Sequence, residues 1–535
     1  MATTALNFRQ WFEEKVDLGK DFPFIRFKDK VYNYAEVDSE VNRVANAMMN
    51  LGITKGSKVA IMMNNCPEFI FCWFGLAKIG AVSLFVNVDL KDEVLRDLVD
   101  RGDAEYVILT KDRWSNYSLI RERLQKVRKA ICVPNDEGIA AGERVVSLER
   151  ICQESSPNPP PEVLFDNGQP MGFIHTSGTT GLPKWTILSH KAYLTAAESL
   201  REWTMTTHKD IFYDPLPLFH INPQTYFLLN ALAGNASVVI SEKYSASGLW
   251  KDVCNYKATI LVLHAAPLFF ALKQPVVPEE TQHQVRMIAI AAQRPFMERF
   301  QIPVGGSGYG STELPGYVCT NRFYYPFPKK WDFLGDALSK FAGKPVDYIE
   351  VKIFDEDGSK LPTGKIGEIV VRGREPHVIF DGYYNMPEKN QEVFRGGWFH
   401  TGDAGRMDED GHLIFEGRRA ESINVKGEWV PIEQVEDVIR SLSNVAEVAI
   451  VGVPAEVGQD VKAYIQVSAG GNLDPVELLD YCQTKLPRFM IPRYIEFIEA
   501  FPRTLGTEKI QKEELKKRGI GEAWDREKIG YKLKR

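Results

Sequence analysis

The sequence predicts an α/β protein, with a large body of α/β layers on mostly parallel sheets followed by a small α+β domain. Three observations predict it. Apolar strands alternate with helical segments through the first half. After about residue 345, short alternating strands punctuated by Asp-Gly turns take over. Beyond about residue 420, a helix–strand–strand–helix–strand series is long enough for a domain of its own.

The elements follow in order. Lys58-Val-Ala-Ile-Met-Met63 reads as a strand. Pro67 suits a first helical position and Gly80 the residue just past a helix end. Between them Phe69 to Ala77 is apolar on nearly every face, so this helix is expected to be buried. Val82 to Val88 is the next strand, then a helix from about Glu93 to Asp100 and a strand from Tyr106 to Thr110. Ser155-Ser-Pro-Asn-Pro-Pro-Pro161 is an extended connector. Asp347 to Phe354 and Gly367 to Gly373 alternate as strands, with turns at Asp357-Gly358 and Asp410-Gly411. The last block holds a helix (Ile432, Val435, Ile439), strands Val445–Val453 and Val461–Val467, a helix Val476–Leu486 and a strand Ile495–Ile498.

Composition narrows the function classes. The 535 residues make roughly three to four domain-sized units at about 150 residues each. Lys plus Arg is 65 and Asp plus Glu is 71, so the net charge of −6 offers no basic field for nucleic acid. The longest apolar stretches, Phe69–Ala77 and Ile260–Leu272, fall short of the ~20 residues of a membrane span. The start has no apolar signal core, and the seven scattered cysteines contain no C-x-x-C. The expectation is a cytoplasmic protein without structural zinc or disulfides.

The segment richest in chemistry is Phe173-Ile-His-Thr-Ser-Gly-Thr-Thr-Gly-Leu-Pro-Lys184. An apolar strand enters a loop of small hydroxylic residues and glycines that ends in a lysine. Gly178 and Gly181 let backbone N–H groups approach phosphate oxygens. Thr176, Ser177, Thr179 and Thr180 add donors, and Lys184 adds a positive charge. A solvent-exposed Ser/Thr/Gly loop is the plain alternative; the hydroxyl density and the terminal lysine favour phosphate. The pattern is not a Walker A loop, and Gly306-Ser-Gly-Tyr-Gly310 is not a dinucleotide fingerprint.

T-S-G-T-T-G-x-P-K resembles a signature of the adenylate-forming superfamily: acyl-CoA ligases, peptide-synthetase adenylation domains and luciferases. The likeness continues through Leu216-Pro-Leu-Phe-His220, Gly308-Tyr-Gly-Ser-Thr-Glu313, Gly367–Gly373, Trp398-Phe-His-Thr-Gly-Asp403, Gly417-Arg418 and Pro502 to Lys509, across essentially the whole chain. Asn65 to Ala81 is especially similar to the carnitine/crotonobetaine-CoA ligase branch.

The resemblance implies the adenylate-forming fold. Residues 1–418 would form a large N-terminal domain of α/β layers plus a distorted β-barrel, and residues 419–535 a small mobile C-terminal domain. It also implies a two-step reaction: ATP and a carboxylic acid give acyl-adenylate and pyrophosphate, then the CoA thiol displaces AMP. Its implied cofactors are ATP/AMP, CoA and Mg²⁺. Tyr309 and Gly310 would flank adenine, Thr312 would bond the α-phosphate or acyl carbonyl, and Glu313 would hold Mg²⁺. Asp403 and Arg418 would bind the ribose, and His220 would gate the channel between acyl pocket and pantetheine. Lys509 would serve adenylation, while Lys426 and Gly427 would serve thioester formation after rotation about Arg419 and Ala420. A carrier-loading adenylation domain is the competing class, but nothing downstream resembles a carrier. A serine hydrolase is disfavoured, with no G-x-S-x-G elbow.

Several positions depart from the family pattern. Trp185 stands where glycine usually follows the phosphate lysine; its indole either turns outward or fills room needed by the β- and γ-phosphates. Ala420 replaces a usual Asp or Lys at the hinge, and Glu508 stands beside Lys509 where glycine is expected. Ile290-Ala-Ala-Gln293 lacks the glycines that usually flank adenine. One reading is an impaired adenylation half, with acyl-adenylate supplied by a separate adenylating ligase; the alternative is a competent two-step ligase for carnitine-like or other small acids. Leu218–Asn222, His264–Leu268 and Gly308–Gly316 are rich in apolar and small residues, which leans toward a bulky apolar acid. The Trp185 departure more loosely resembles diterpenoid-acid ligases of platensimycin-type pathways.

Overall fold

The computed structural model describes residues 5–133, 144–176, 183–263, 265–290, 294–328, 338–418, 422–425, 428–455, 459–468, 470–503, 510–531 and 533. The chain divides into two compact units. The first comprises residues 1–351, 370–400 and 407–414; the second comprises 352–369, 401–406 and 415–535.

In the first unit, β1 (Pro23–Phe27) and β2 (Lys30–Asn33) form a hairpin. β3 (Lys58–Met62), β4 (Val82–Phe85), β5 (Tyr106–Thr110), β6 (Lys129–Val133), β7 (Val145–Ser147), β8 (Pro170–Thr176) and β9 (Lys184–Ser189) build a seven-stranded sheet. Its order is β7-β6-β5-β3-β4-β8-β9, parallel throughout except for β8 with β9. β10 (Ile211–Asp214), β11 (Ser237–Ile240), β12 (Ile260–Leu261), β13 (Met287–Ile288), β14 (Val304–Ser311), β15 (Leu314–Tyr324) and β16 (Phe341–Pro345) join β1 and β2 in a second sheet. It runs β16-β15-β14-β13-β12-β10-β11-β1-β2, parallel from β14 to β1 and antiparallel at both ends.

The two sheets repeat one winding. β4-β3-β5-β6-β7 and β11-β10-β12-β13-β14 both place the first strand between the second and the third. This is a doubly wound order, in which ligands sit beyond the carboxyl ends of the strands. The loop after β8 and the turn after β14 both emerge at such ends.

The helix between β3 and β4 runs Pro67–Lys78, with Pro67 in its first turn, every residue from Phe69 to Lys78 buried, and Gly80 at φ +70° just past its end. Gly75 lets it approach the helix Tyr34–Asn50, since a Cβ there would lie 2.9 Å from Val44 Cγ1 and 3.1 Å from the Ala45 nitrogen. Lys78, fully buried at its end, is neutralised by Asp38 at 2.6 Å and Glu13 at 3.1 Å. All seven cysteines are free thiols, five of them buried. Among the described residues no helix is long and apolar enough to cross a membrane.

β17 (Ile349–Phe354), β18 (Gly367–Gly373), β20 (Trp398–Met407) and β21 (Leu413–Arg418) are each crossed by the unit boundary, and β19 (Phe394–Arg395) pairs with β20 inside the first unit. The second unit holds the β22 (Ser422–Val425) and β23 (Glu428–Pro431) hairpin and a four-stranded sheet. That sheet is β24 (Val445–Pro454), β25 (Gln459–Val467), β26 (Tyr494–Phe497) and β27 (Trp524–Asp525), in that order, with β25 and β26 parallel. Helices Ile432–Arg440 and Pro475–Lys485 bury Val435, Ile439, Leu478 and Leu479 against Val448, Ile450, Ala463 and Ile465. The strands and helices expected from sequence are thus present within one or two residues at their ends, except that the strand expected over Val82–Val88 stops three residues earlier, at Phe85.

Candidate active site

The phosphate-type loop leaves β8 at Thr176 and returns at Lys184, its direct partner across the antiparallel β8–β9 pair. Ser177, Gly178, Thr179, Thr180 and Gly181 lie outside the described residues. Lys184 begins a strand, so strand alternation sends it and Trp185 to opposite faces. Trp185 is buried, packs edge-on against its cross-strand partner His175 at 5.7 Å, and donates its indole N–H to the Leu98 carbonyl at 2.9 Å. Gly102 makes room for it, since a Cβ there would stand 2.8 Å from Trp185 Nε1. The indole is therefore neither turned outward nor on the Lys184 face, the two placements weighed from sequence; the helix Asp92–Arg101 receives it.

The segment 380–384 lies along the outer edge of β9. Asp381 N–H donates to Ile187 O at 3.0 Å, Ile187 N–H to Gly382 O at 3.0 Å, and Tyr384 N–H to Trp185 O at 2.8 Å. This delivers Tyr383, whose ring lies beneath Lys184 Nζ, 5.3 Å from the centroid. The Tyr383 hydroxyl donates to Glu313 Oε1 at 2.8 Å. Glu313 and Thr312 occupy the two-residue turn between β14 and β15, where Ser311 pairs with Leu314. Ser311 Oγ donates to the other carboxylate oxygen, Oε2, at 2.8 Å, and Phe380 N–H bonds the Glu313 carbonyl at 3.0 Å. Burial first, then Lys389, pulls the Lys184 pKa below the ordinary lysine value, while Glu313 and Glu392 oppose the fall.

Other expected residues are placed as follows. Tyr309 is buried on β14 opposite Cys319, and Gly310 is exposed beside it. His220 is exposed after Leu218-Phe219, its ring 4.5 Å from Phe219, and it adds to the lowering of the buried His175 pKa. A π-helix, Pro223–Leu229, follows it, a distortion frequent at functional sites. In the second unit Asp403 is buried on β20, its N–H donating to Thr401 Oγ1 at 3.1 Å, and Arg418 ends the neighbouring β21. Arg419, Ala420, Lys426, Gly427, Glu508 and Lys509 lie outside the described residues.

The structure thus gathers Thr176, Lys184 and Glu313, and adds Tyr383 and Ser311, to which motif reading gave no role; His175 lies with Trp185 on the opposite face. The only local signal for Tyr383 was the turn pair Asp381-Gly382 before two tyrosines. A carboxylate whose oxygens are both held by neutral hydroxyls keeps its charge for a hard cation, so the donor set fits Mg²⁺. The lysine beside it suits phosphate oxygens.

This pairing of a phosphate-type loop with an oxygen-donor turn, at the carboxyl ends of two doubly wound sheets, defines a nucleotide-activating enzyme. The chain belongs to the AMP-binding enzyme family, which matches residues 12–384, with the family's C-terminal domain matching residues 434–506. It is an AMP-forming acyl-CoA ligase. It is 30% identical over 530 residues to the crotonobetaine/carnitine–CoA ligases of Salmonella paratyphi A and Salmonella typhi, spanning 95% of this chain and 98% of each relative. The fold is shared with the anthranilate CoA ligase AuaEII bound to anthranoyl-AMP (TM-score 0.83, 24% identity, 96% of each chain). It is shared also with ATP-bound MatB from Rhodopseudomonas palustris (TM-score 0.80, 23% identity, 98% of this chain and all of that one).

Proposed function

We propose that this chain carries out both half reactions: it adenylates a small carboxylic acid with ATP and then transfers the acyl group to CoA. The observation that carries the reading is the Lys184–Tyr383–Glu313 cluster beside the phosphate-type loop. In this reading Thr176, Ser177, Gly178, Thr179, Thr180, Gly181 and Lys184 bind the phosphates. Glu313 would hold Mg²⁺, which would supply positive charge against the phosphates in the first half reaction. The acid's carboxylate oxygen attacks the α-phosphorus, with Thr312 and Tyr309–Gly310 steadying phosphate and adenine and Asp403 and Arg418 the ribose. The pantetheine thiolate then attacks the acyl carbon and AMP departs. Residues 419–535 turn about Arg419 and Ala420, presenting Lys509 for the first step and Lys426–Gly427 for the second, and His220 gates the thiol's approach.

Two observations support a small acid. The relatives at 30% identity are crotonobetaine/carnitine–CoA ligases. The β14–β15 hairpin is also filled on one side. A Cβ at Gly308 would lie 2.3 Å from the Tyr317 ring and one at Gly310 3.3 Å from the Tyr226 hydroxyl, while Trp203 closes on Tyr317 at 5.2 Å.

The second reading is a thioesterifying enzyme fed with acyl-adenylate by a separate ligase, acting on a bulky apolar, for example diterpenoid, acid. It rests on Glu508 beside Lys509, since Trp185 lies on the face of β9 away from Lys184. The test compares two mixtures, acid with ATP and CoA, and synthetic acyl-adenylate with CoA. Carnitine, crotonobetaine, other small acids and a polycyclic acid serve in turn. Acyl-CoA from a small acid in both mixtures is expected; acyl-CoA from the adenylate alone overturns the proposal.

A further inference from the structure

Tyr383 touches both charged members of the cluster. Its hydroxyl donates to Glu313 Oε1 at 2.8 Å, and its ring face lies 5.3 Å from Lys184 Nζ. The tyrosine is itself fixed. It is buried, its N–H donates to Asn390 Oδ1 at 2.7 Å, its carbonyl accepts from Asn390 Nδ2 at 2.9 Å, and it bridges Thr186 on β9. Gly382, at φ +112°, lets the chain turn there, and a Cβ would sit 3.0 Å from the Asn390 amide. One rigid residue therefore spans a carboxylate and an ammonium that arrive from different sheets.

We propose that Tyr383 is the positioning residue of the metal–phosphate site, setting the Glu313 carboxylate for a divalent cation while its ring holds Lys184 on the phosphate side. The inference rests on the nucleotide reading above and assigns a device within it. A tyrosine hydroxyl fixes a carboxylate's rotation without neutralising it, as an arginine would. Ser311 takes the other oxygen, so the turn residue has one orientation. Among the described residues each oxygen accepts one such bond, and a carboxylate oxygen has a second lone-pair direction to offer a metal. The ring face attracts the ammonium without bonding its protons, which leaves them for phosphate. Outer groups of this kind typically govern metal affinity by about 10–100-fold.

The two contacts separate by substitution. Tyr383→Phe keeps the ring and the backbone bonds to Asn390 but removes the hydroxyl. Calorimetric binding of ATP with Mn²⁺, and of ATP with EDTA, reads each contact without turnover. The expectation for Tyr383→Phe is Mn²⁺·ATP binding weakened about tenfold and metal-free ATP binding unchanged within twofold. Ser311→Ala should act in the same direction. Tyr383→Leu, which also removes the ring, should weaken metal-free ATP binding as well. In activity, Tyr383→Phe should raise the Mg²⁺ requirement of ATP–pyrophosphate exchange and leave acyl-CoA formation from acyl-adenylate intact, a split that a general loss of structure would not give. Wild-type Mn²⁺·ATP affinity in Tyr383→Phe, or equal losses with and without metal, overturns the assignment. Failure of the wild-type protein to bind ATP overturns the nucleotide reading as well.

Discussion

The indole N–H of Trp185 is bonded to the carbonyl of Leu98, so the residue after Lys184 is built into a helix end, away from the lysine's face. A cavity would follow its removal, while the Leu98 carbonyl would keep the Gly102 N–H at 3.1 Å. Trp185→Gly should cost about 3–5 kcal/mol in unfolding free energy, read from urea denaturation. Pyrophosphate exchange should not rise above wild type in the folded fraction. A gain in exchange would show that the indole obstructs phosphate after all.

In the proposed function Lys184 works only while protonated, and burial moves its titration below the ordinary lysine range. Below that lowered pKa the ammonium attracts phosphate; as pH rises through it, the attraction is lost. The KM for ATP should therefore climb on the alkaline side earlier than an ordinary lysine would allow. Lys184→Arg should flatten that climb, because guanidinium stays charged. Lys184→Ala should slow adenylation about hundredfold at neutral pH. Initial rates against ATP across the alkaline limb decide it.

Two buried histidines make the first unit acid-sensitive. Burial draws His175 and His190 from 6.5 to about 3, with His220 adding to the effect at His175. Each is neutral when folded, one ring nitrogen accepting a backbone N–H, from Asn87 at 3.1 Å and from Phe8 at 3.3 Å. The unfolded chain takes up protons below about pH 6.5 that the folded chain refuses, so stability is full above that value and falls as acid is added. Between pH 6.5 and 5 each site should cost roughly 2 kcal/mol. His190→Gln retains an acceptor for Phe8 and should remove about half of the acid-dependent shift in the urea midpoint.

The legible parts of this chain were those with local punctuation. Pro67 and Gly80 bracket their helix, and the Asp-Gly pairs mark turns, because φ preferences act residue by residue. The charge on buried Lys78 was not legible: its partners, Glu13 and Asp38, come from two earlier helices. The Tyr383–Glu313 contact joins residues seventy apart, and no pattern within either segment implies it. Trp185 stood between. Strand alternation would have sent it away from Lys184, but only once Lys184 was read as the first residue of a strand rather than the last of a loop.

The second unit offers a sharper test of buried charge. Lys462 on β25 is fully buried, with Nζ 2.7 Å from Glu496 on the parallel neighbour β26 and 2.9 Å from the carbonyls of both Gly519 and Ile520. Its ammonium also lies 4.3 Å over the Tyr464 ring. Lys462 thereby ties the sheet to the turn that precedes β27. Lys462→Met fills similar volume but leaves the Gly519 carbonyl and a partly buried carboxylate without their donor, while Ile520 keeps the Ala523 N–H at 3.3 Å. The cost should be about 3 kcal/mol, near the low end for broken buried pairs because Glu496 keeps some solvent. Lys462→Met with Glu496→Leu should recover most of it, since an apolar pair of matching size leaves no orphaned charge. Hydrogen exchange should show the loss confined to β25, β26 and the 519–525 turn. A single variant as stable as wild type would mean the ion pair contributes nothing beyond what a methionine supplies.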